Sequence, residues 1–251
     1  MARYDVVYIL KNDYDEEELK YSIRSVVMNF PYRKIVIVGG CPKDIKPDIY
    51  IADKQVGVTK WERSTHSLLK ALKDERLTEN IWLFNDDFFV MDKMKEPKNY
   101  FNGSLEKRVQ DLKFKNPRGS SYIRSLEILK NFLFKQRKDT LSFALHVPML
   151  VNRANALSLF ENHVPNLQMF RSLYGNYFEI ECEYMKDVKI YDTETLPEEK
   201  YCSTSDKAFK EGKCGIFLKQ YFATPTKYEN EELFRSEVRE QFTEEGDVRY
   251  D

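Results

Sequence analysis

A chain of 251 residues can bury one sizeable core, or one core with a small subdomain. Its 40 Lys and Arg offset 41 Asp and Glu to a formal net charge of -1, so no overall basic field favours nonspecific nucleic-acid binding. No apolar run approaches the roughly 20 residues of a membrane span, and the start Met-Ala-Arg-Tyr-Asp has no signal-peptide pattern. Cys41, Cys182, Cys202 and Cys214 are scattered without a Cys-x-x-Cys pair, so free thiols and a cytoplasmic location are expected.

Residues 6–10 are an apolar, β-branched run and form the first expected strand, ended by Lys11-Asn12-Asp13. Asp13 with Glu16 makes a capping-box pattern. Leu19, Ile23 and Val26 or Val27 then recur at helical spacing until Pro31. Residues 35–38 read as a second strand, stopped by Gly39-Gly40. Those glycines serve either a tight turn or a close approach of backbone to a ligand. Residues 49–51 read as a short third strand. Thr59 and Glu62 form another capping box, which opens a helix to about Lys73 with Trp61, Thr65, Leu68 and Leu72 on one face.

Lys60 and Arg63 sit in the first turn of that helix, where the helix dipole disfavours cations. They are either solvated surface charges or the holders of an anion at the helix terminus. Residues 81–84 read as the next strand. Alternating strands and helices predict an α/β fold with a mainly parallel sheet flanked by helices. Ligands gather beyond the carboxyl ends of such strands, so Asn12-Asp13, Gly39-Gly40 and Asn85-Asp86-Asp87 would line one crevice.

The second half is less regular. Residues 99–116 are polar and read as a mobile flap. Residues 122–137 form an amphipathic helix with Tyr122, Leu126, Leu129 and Leu133 on one stripe. Residues 142–151 read as a strand carrying His146, and Asn152 as the cap of a short helix through Phe160. Residues 178–184, 188–191 and 216–222 are strand candidates, and 229–241 a charged helix. No internal repeat stands out.

The stretch 81–92 organises the chain. Two adjacent carboxylates, Asp86 and Asp87, lie between the apolar runs 81–84 and 88–90. They repel each other and lose hydration unless a cation sits between them; the alternative is a polar turn with an Asx cap. Strand alternation would send one Asp to a metal and the other to a metal-bound water or the substrate. His146, in Phe-Ala-Leu-His-Val-Pro, is either a satisfied core residue or a ligand; two oxygens and one nitrogen are a common divalent-metal set. Glu179, Glu181 and Glu183 alternate and would share one strand face, with Glu181 a candidate general base if that face meets the crevice.

These features resemble the GT-A type of nucleotide-sugar glycosyltransferase. The resemblance implies one domain over 1–251, with a nucleotide-binding half over about 1–92 and an acceptor half beyond. It also implies Mn²⁺ or Mg²⁺ on Asp86, Asp87 and His146. Asn12, Asp13, Gly39, Gly40, Lys60, Arg63 and Asn85 would hold the nucleotide-sugar, and Asp86, Asp87 and Glu181 would serve catalysis. The blocks Asp5-Val6-Val7-Tyr8, Phe84-Asn85-Asp86-Asp87-Phe88-Phe89 and His146-Val147-Pro148 resemble those of stealth-type sugar-phosphate transferases. Departures from that pattern are Ile9-Leu10-Lys11-Asn12 after the first block and Met149 after the last. The compact length is also similar to that of bacteriophage glycosyltransferases. The implied acceptor is a glycan hydroxyl, or the primary alcohol of a hydroxymethylated DNA base with Lys107, Arg108, Lys113, Lys115 and Arg118 as a phosphate-facing strip. A noncatalytic sugar-nucleotide-binding protein is the remaining alternative.

Overall fold

The chain, described as a computed structural model over residues 3–13, 17–115, 118, 120–162 and 169–229, begins with β1 (Tyr4–Leu10) and α1 (Glu18–Asn29). Next come β2 (Tyr32–Gly39), β3 (Ile49–Ile51), α2 (Lys60–Lys73), β4 (Asn80–Phe84) and β5 (Phe88–Val90). They are followed by β6 (Asn99–Phe101), α3 (Leu105–Lys115), α4 (Ser121–Lys135), β7 (Met149–Asn152), α5 (Arg153–Glu161) and α6 (Phe170–Tyr177). The described chain closes with β8 (Cys182–Tyr184), β9 (Lys189–Ile190), β10 (Tyr201–Thr204), α7 (Asp206–Glu211) and α8 (Lys213–Tyr221).

The central sheet has the order β3-β2-β1-β4-β7. Its first four strands are parallel, and β7 runs antiparallel along β4. This is the α/β class expected from the sequence. Alternation places Val7, Val36, Ile81 and Leu83 on one face, against α2, α4 and α6. Val6, Tyr8, Ile35, Trp82 and Phe84 lie on the other, against α1. There Phe30 meets the rings of Trp82 and Phe84 edge-on, both at 5.2 Å, a favourable aromatic geometry. A second sheet, β5-β10-β9, continues from the end of β4.

Polar residues of α1 hold β5 in place. Ser22, Ser25 and Asn29 recur at helical spacing on a buried face. Ser22 donates to the Phe88 carbonyl at 2.5 Å, and Ser25 accepts from the Val90 amide at 3.0 Å. The Asn29 amide donates to the Val90 carbonyl at 2.7 Å. Side chains thus satisfy the backbone that a three-residue strand leaves over.

The capping box of α2 forms as expected. Thr59 accepts from the Glu62 amide, while Glu62 reaches back to the Thr59 amide. Asn152 caps α5, as its position predicts. Asp13 does not cap α1, whose cap position is Glu17 and carries no side-chain bond; the expected partner Glu16 lies outside the described residues.

Four expectations are corrected. Of the expected flap over 99–116, the described residues 99–115 hold β6 and α3 instead, whose Leu105 and Val109 are buried. Charged residues at other helix positions hid that stripe. The expected strand over 142–151 is paired only from Met149 onward. Before it, Phe143, Leu145 and Val147 are buried as a strand's would be. Their backbone, however, joins no neighbouring strand: Ser142 exchanges backbone bonds with Asn102 and Gly103 after β6, and the flanking amides go to side chains. The Leu141 amide donates to Asn176 Oδ1 at 2.7 Å and the Phe143 amide to Ser172 Oγ at 3.0 Å.

Residues 178–184 are strand only from Cys182, because α6 runs to Tyr177 and Glu179 takes a φ of 50°. Residues 216–222 fall within and just after α8 rather than on a strand. Cys214, Leu218 and Phe222 share a buried stripe there, and packing overrides strand propensity. The helix expected over 229–241 lies outside the described residues, Glu229 excepted.

Candidate functional site

The carboxyl ends of β1 and β4 open into a cavity of about 570 Å³. Its walls come from α2, α3, α4, the start of α6 and the segment around His146. The size is within the ordinary range for a small-molecule site. Asn85, Asp86 and His146 all line it, so the structure brings three of the expected residues together. Asn85 and Asp86 ride on the tight turn between β4 and β5, closed by the Phe88 amide donating to the Asn85 carbonyl at 3.3 Å.

Asp87 points elsewhere. It forms a buried ion pair with Lys189 of β9 and accepts from Ser203 of β10 at 3.0 Å. Lys189 also donates to the Thr204 carbonyl. The other Asp87 oxygen, Oδ1, is buried without a hydrogen-bond partner, and Asp87 is not among the cavity-lining residues. The two carboxylates therefore divide their roles: Asp86 faces the cavity, and Asp87 ties the turn to the second sheet. Burial and the fields of Asp86 and Asp87, opposed by Lys189, push the nearby buried Glu18 carboxyl up to about 8. Burial, helped by Asp86, also raises the Tyr8 phenol.

His146 turns into the cavity while Val147 turns into the core and Leu145 packs in the core at the cavity's edge. Its Nδ1 lies 2.9 and 3.1 Å from the two oxygens of Asp187, whose Oδ1 also accepts from the His146 amide at 3.3 Å. An ionised Asp187 makes Nδ1 the protonated nitrogen and leaves the Nε2 lone pair for a ligand. This carboxylate–histidine pairing is what commonly orients a metal-binding or proton-accepting imidazole. Burial raises the Asp187 carboxyl, but hydrogen bonds and charge from His146, with Arg108 adding its field, outweigh it and hold the group below its ordinary range.

Asp187 was missed in the sequence because it lies 41 residues from His146. If the imidazole binds a metal or accepts a proton, replacement of Asp187 by Asn is expected to lower metal affinity or rate about 10- to 100-fold through a misoriented ring. A depressed folded pKa means that Asp187 stabilises the fold above its unfolded value, near 3.9, and loses that contribution as pH falls through the lower folded value. The Asn variant should therefore lose part of the acid dependence of stability below about pH 4. Chemical denaturation at several pH values and initial-rate measurements check both parts.

Other expected residues stand apart from this cavity. Lys60 lies over the Trp61 ring at 5.4 Å, and Arg63 donates to the Val58 carbonyl at 3.2 Å; both are exposed. The face that α2 gives to the cavity carries Trp61, Ser64, Thr65 and Leu68 instead. Asn12 and Asp13 lie in the exposed loop after β1, where the Asn12 amide donates to Gln55 Oε1 at 2.9 Å.

Gly39 and Gly40 pack against that same loop. A Cβ would stand 2.2 Å from the Leu10 carbonyl oxygen at Gly39, where φ is +98°, and 2.2 Å from that of Lys11 at Gly40. The close approach is thus between two backbone segments. Glu181 lines a different cavity, of about 520 Å³, at the edge formed by β7. Its neighbours Glu179 and Glu183 pair with Lys138 and Lys98, so the three carboxylates form no common row.

Two cations line the cavity: Arg171, which was not singled out from the sequence, and Arg108, which was expected only in a phosphate-facing strip. Arg171, at the start of α6, donates to the carbonyls of Val147 at 2.7 Å and Leu83 at 3.2 Å, and its guanidinium lies 5.3 Å from the Phe88 ring centre. Arg108, on α3, also lines the cavity. Lys113 pairs with Glu127 at 2.6 Å, so the expected basic strip is broken up.

No group of three or more His, Cys, Asp and Glu side chains among the described residues is placed to hold a metal ion. The four cysteines are free, and no helix among the described residues is long and apolar enough to cross a membrane.

No protein-family model matches the sequence, and no curated protein matches it. Among solved structures, similarity is found to the galactosyltransferase LgtC in complex with donor and acceptor sugar analogs, at 11% identity and a TM-score of 0.45. That match covers 75% of this chain and 76% of the other. A second is to the glycosyltransferase GlyE of Streptococcus pneumoniae TIGR4, at 11% identity and a TM-score of 0.30, covering 54% of this chain and 44% of that one.

Proposed function

We propose that the chain is a GT-A-like glycosyltransferase that moves a sugar from a nucleotide-sugar donor to an acceptor hydroxyl. The observation that carries the reading is the convergence of Asn85, Asp86 and the Asp187-held His146 on one cavity beyond the carboxyl ends of β1 and β4. The sequence blocks around Asp86 and His146 support the same class.

Asp86 and the Nε2 of His146 would hold Mn²⁺ or Mg²⁺. Two protein donors do not make a closed cage; they fit an ion that keeps waters and takes its remaining ligands from substrate phosphates. When bound, such an ion would offset charge on the departing nucleoside diphosphate. Asp187 orients the imidazole, and Asp87, through Lys189 and Ser203, fixes the turn that carries Asp86. Asn85, exposed on that turn, can hydrogen-bond a sugar or phosphate group. A glycan acceptor is favoured over a hydroxymethylated DNA base, because Arg108 lies at the cavity and Lys113 pairs with Glu127, which withdraws two of the four α3 cations from a phosphate-facing strip.

A thermal-shift screen of nucleotide-sugars with and without Mn²⁺, followed by product analysis, tests the proposal. One donor is expected to stabilise the protein, by about 2.7 kcal/mol at one hundred times its dissociation constant. It should also be turned over with release of the nucleoside diphosphate. Release of the nucleoside monophosphate, with phosphate retained on the product, would move the chain to sugar-phosphate transfer. Stabilisation without donor breakdown under any metal would make it a binding protein.

A further inference from the structure

Arg108 and Arg171 bring two guanidinium groups to a cavity whose lining offers one carboxylate, Asp86. Neither arginine has an ion-pair partner among the described residues. Arg108 Nε is buried without a hydrogen-bond partner. Arg171 directs Nη1 and Nη2 at neutral carbonyls, which leaves N–H donors of its five unused. Burial, opposed by the field of Asp87, lowers the Arg171 pKa to about 10. Arg171 is half-buried, and a cation there whose hydrogen bonds go only to neutral carbonyls is costly to keep. The carbonyl bonds and the Phe88 ring fix the orientation of Arg171, so the group is preorganised rather than swept through solvent. Planar guanidinium forks match phosphate oxygens in geometry and in charge.

We propose that Arg108 and Arg171 bind a diphosphate directly, without needing a divalent ion to hold it. Resting on the sugar-transfer reading above, that diphosphate belongs to the nucleotide-sugar donor. Two guanidinium groups offset a diphosphate better than a single acceptor carboxylate, and they stand in the same cavity as Asp86 and His146. Donor binding and metal-assisted turnover are then separable: the arginines serve the first, while Asp86 and His146 serve the second.

Calorimetric titration of inorganic pyrophosphate in EDTA tests this on the full chain. Wild-type protein is expected to bind, and Arg108→Gln and Arg171→Lys each to weaken binding about ten- to hundredfold, as for loss of a charge-assisted contact. Arg171→Lys keeps the charge and removes the fork, so it separates recognition from simple attraction and retains a donor for the carbonyls. Melting curves confirm that both variants are folded. Absence of binding in EDTA, or unchanged affinity in both variants, overturns the proposal.

Competition identifies the source of the anion. Displacement of pyrophosphate by a nucleoside diphosphate supports the donor assignment. Displacement only by a phosphorylated or carboxylated sugar overturns it in favour of an anionic acceptor. Arginine-dependent pyrophosphate binding in a protein that binds no nucleotide-sugar would support the clamp and overturn the sugar-transfer reading.

Discussion

Replacing Asp87 by Asn is expected to lower stability by about 3 kcal/mol, the lower end of the cost of breaking a buried ion pair. The side chains of Asp87 and Lys189 are only 13% and 11% exposed. Asn can keep the contact with Ser203, but it leaves the Lys189 ammonium without its counter-charge. Natural domains are stable by about 5–15 kcal/mol, so this is a large fraction of the total. Urea unfolding should show a lower midpoint with an unchanged slope.

Lys189→Met in the Asp87→Asn background should recover part of the loss, because the stranded charge is then gone. An unchanged midpoint in the single variant would remove the structural role of the pair. A fall in activity of Asp87→Asn alone would not make Asp87 a metal ligand. Its partners lie on β9 and β10, and β9 lies close in sequence to both Asp187 and the cavity-lining Tyr191.

The parts of the fold that were legible in the sequence are those written in local signals. The apolar runs of β1, β2 and β4 and the Thr59–Glu62 box of α2 each lie within a few residues of one another. The Asp86 turn was legible because a carboxylate pair between two buried runs is seldom a plain surface turn. Its division of labour was not. Lys189 and Ser203 lie 102 and 116 residues from Asp87, and no local pattern links them. One signal was present: Lys189 between Val188 and Ile190 is an ionisable group in an apolar setting, which implies a partner. The stretch over 141–148 misled for another reason. Its alternation is that of a strand, but Asn176, Ser172 and Asp187 take the place of the missing neighbour, and side-chain partners leave no mark on periodicity. Arg171 sits in Met-Phe-Arg-Ser-Leu, where only burial distinguishes it from a surface arginine.

Asp86→Asn should have the opposite signature to Asp87→Asn. Asp86 faces the cavity, and its charge lies close enough to Glu18 to help push that carboxyl up to about 8, after burial itself. Removing the charge at nearly constant volume relieves the repulsion that Asp86 exerts on Glu18, so any loss of stability should stay well below that of Asp87→Asn. Turnover should fall at least about 100-fold, since loss of an outer partner of a metal ligand already costs about 10- to 100-fold. Pyrophosphate affinity in EDTA should not fall, because Arg108 and Arg171 are intact and a competing negative charge has left the cavity. Melting temperature, rate with Mn²⁺ and pyrophosphate affinity on this one variant therefore test the division of roles. A variant that loses stability while keeping its rate would show that Asp86, like Asp87, serves the fold, and the turn would then lose its place at the centre of the site.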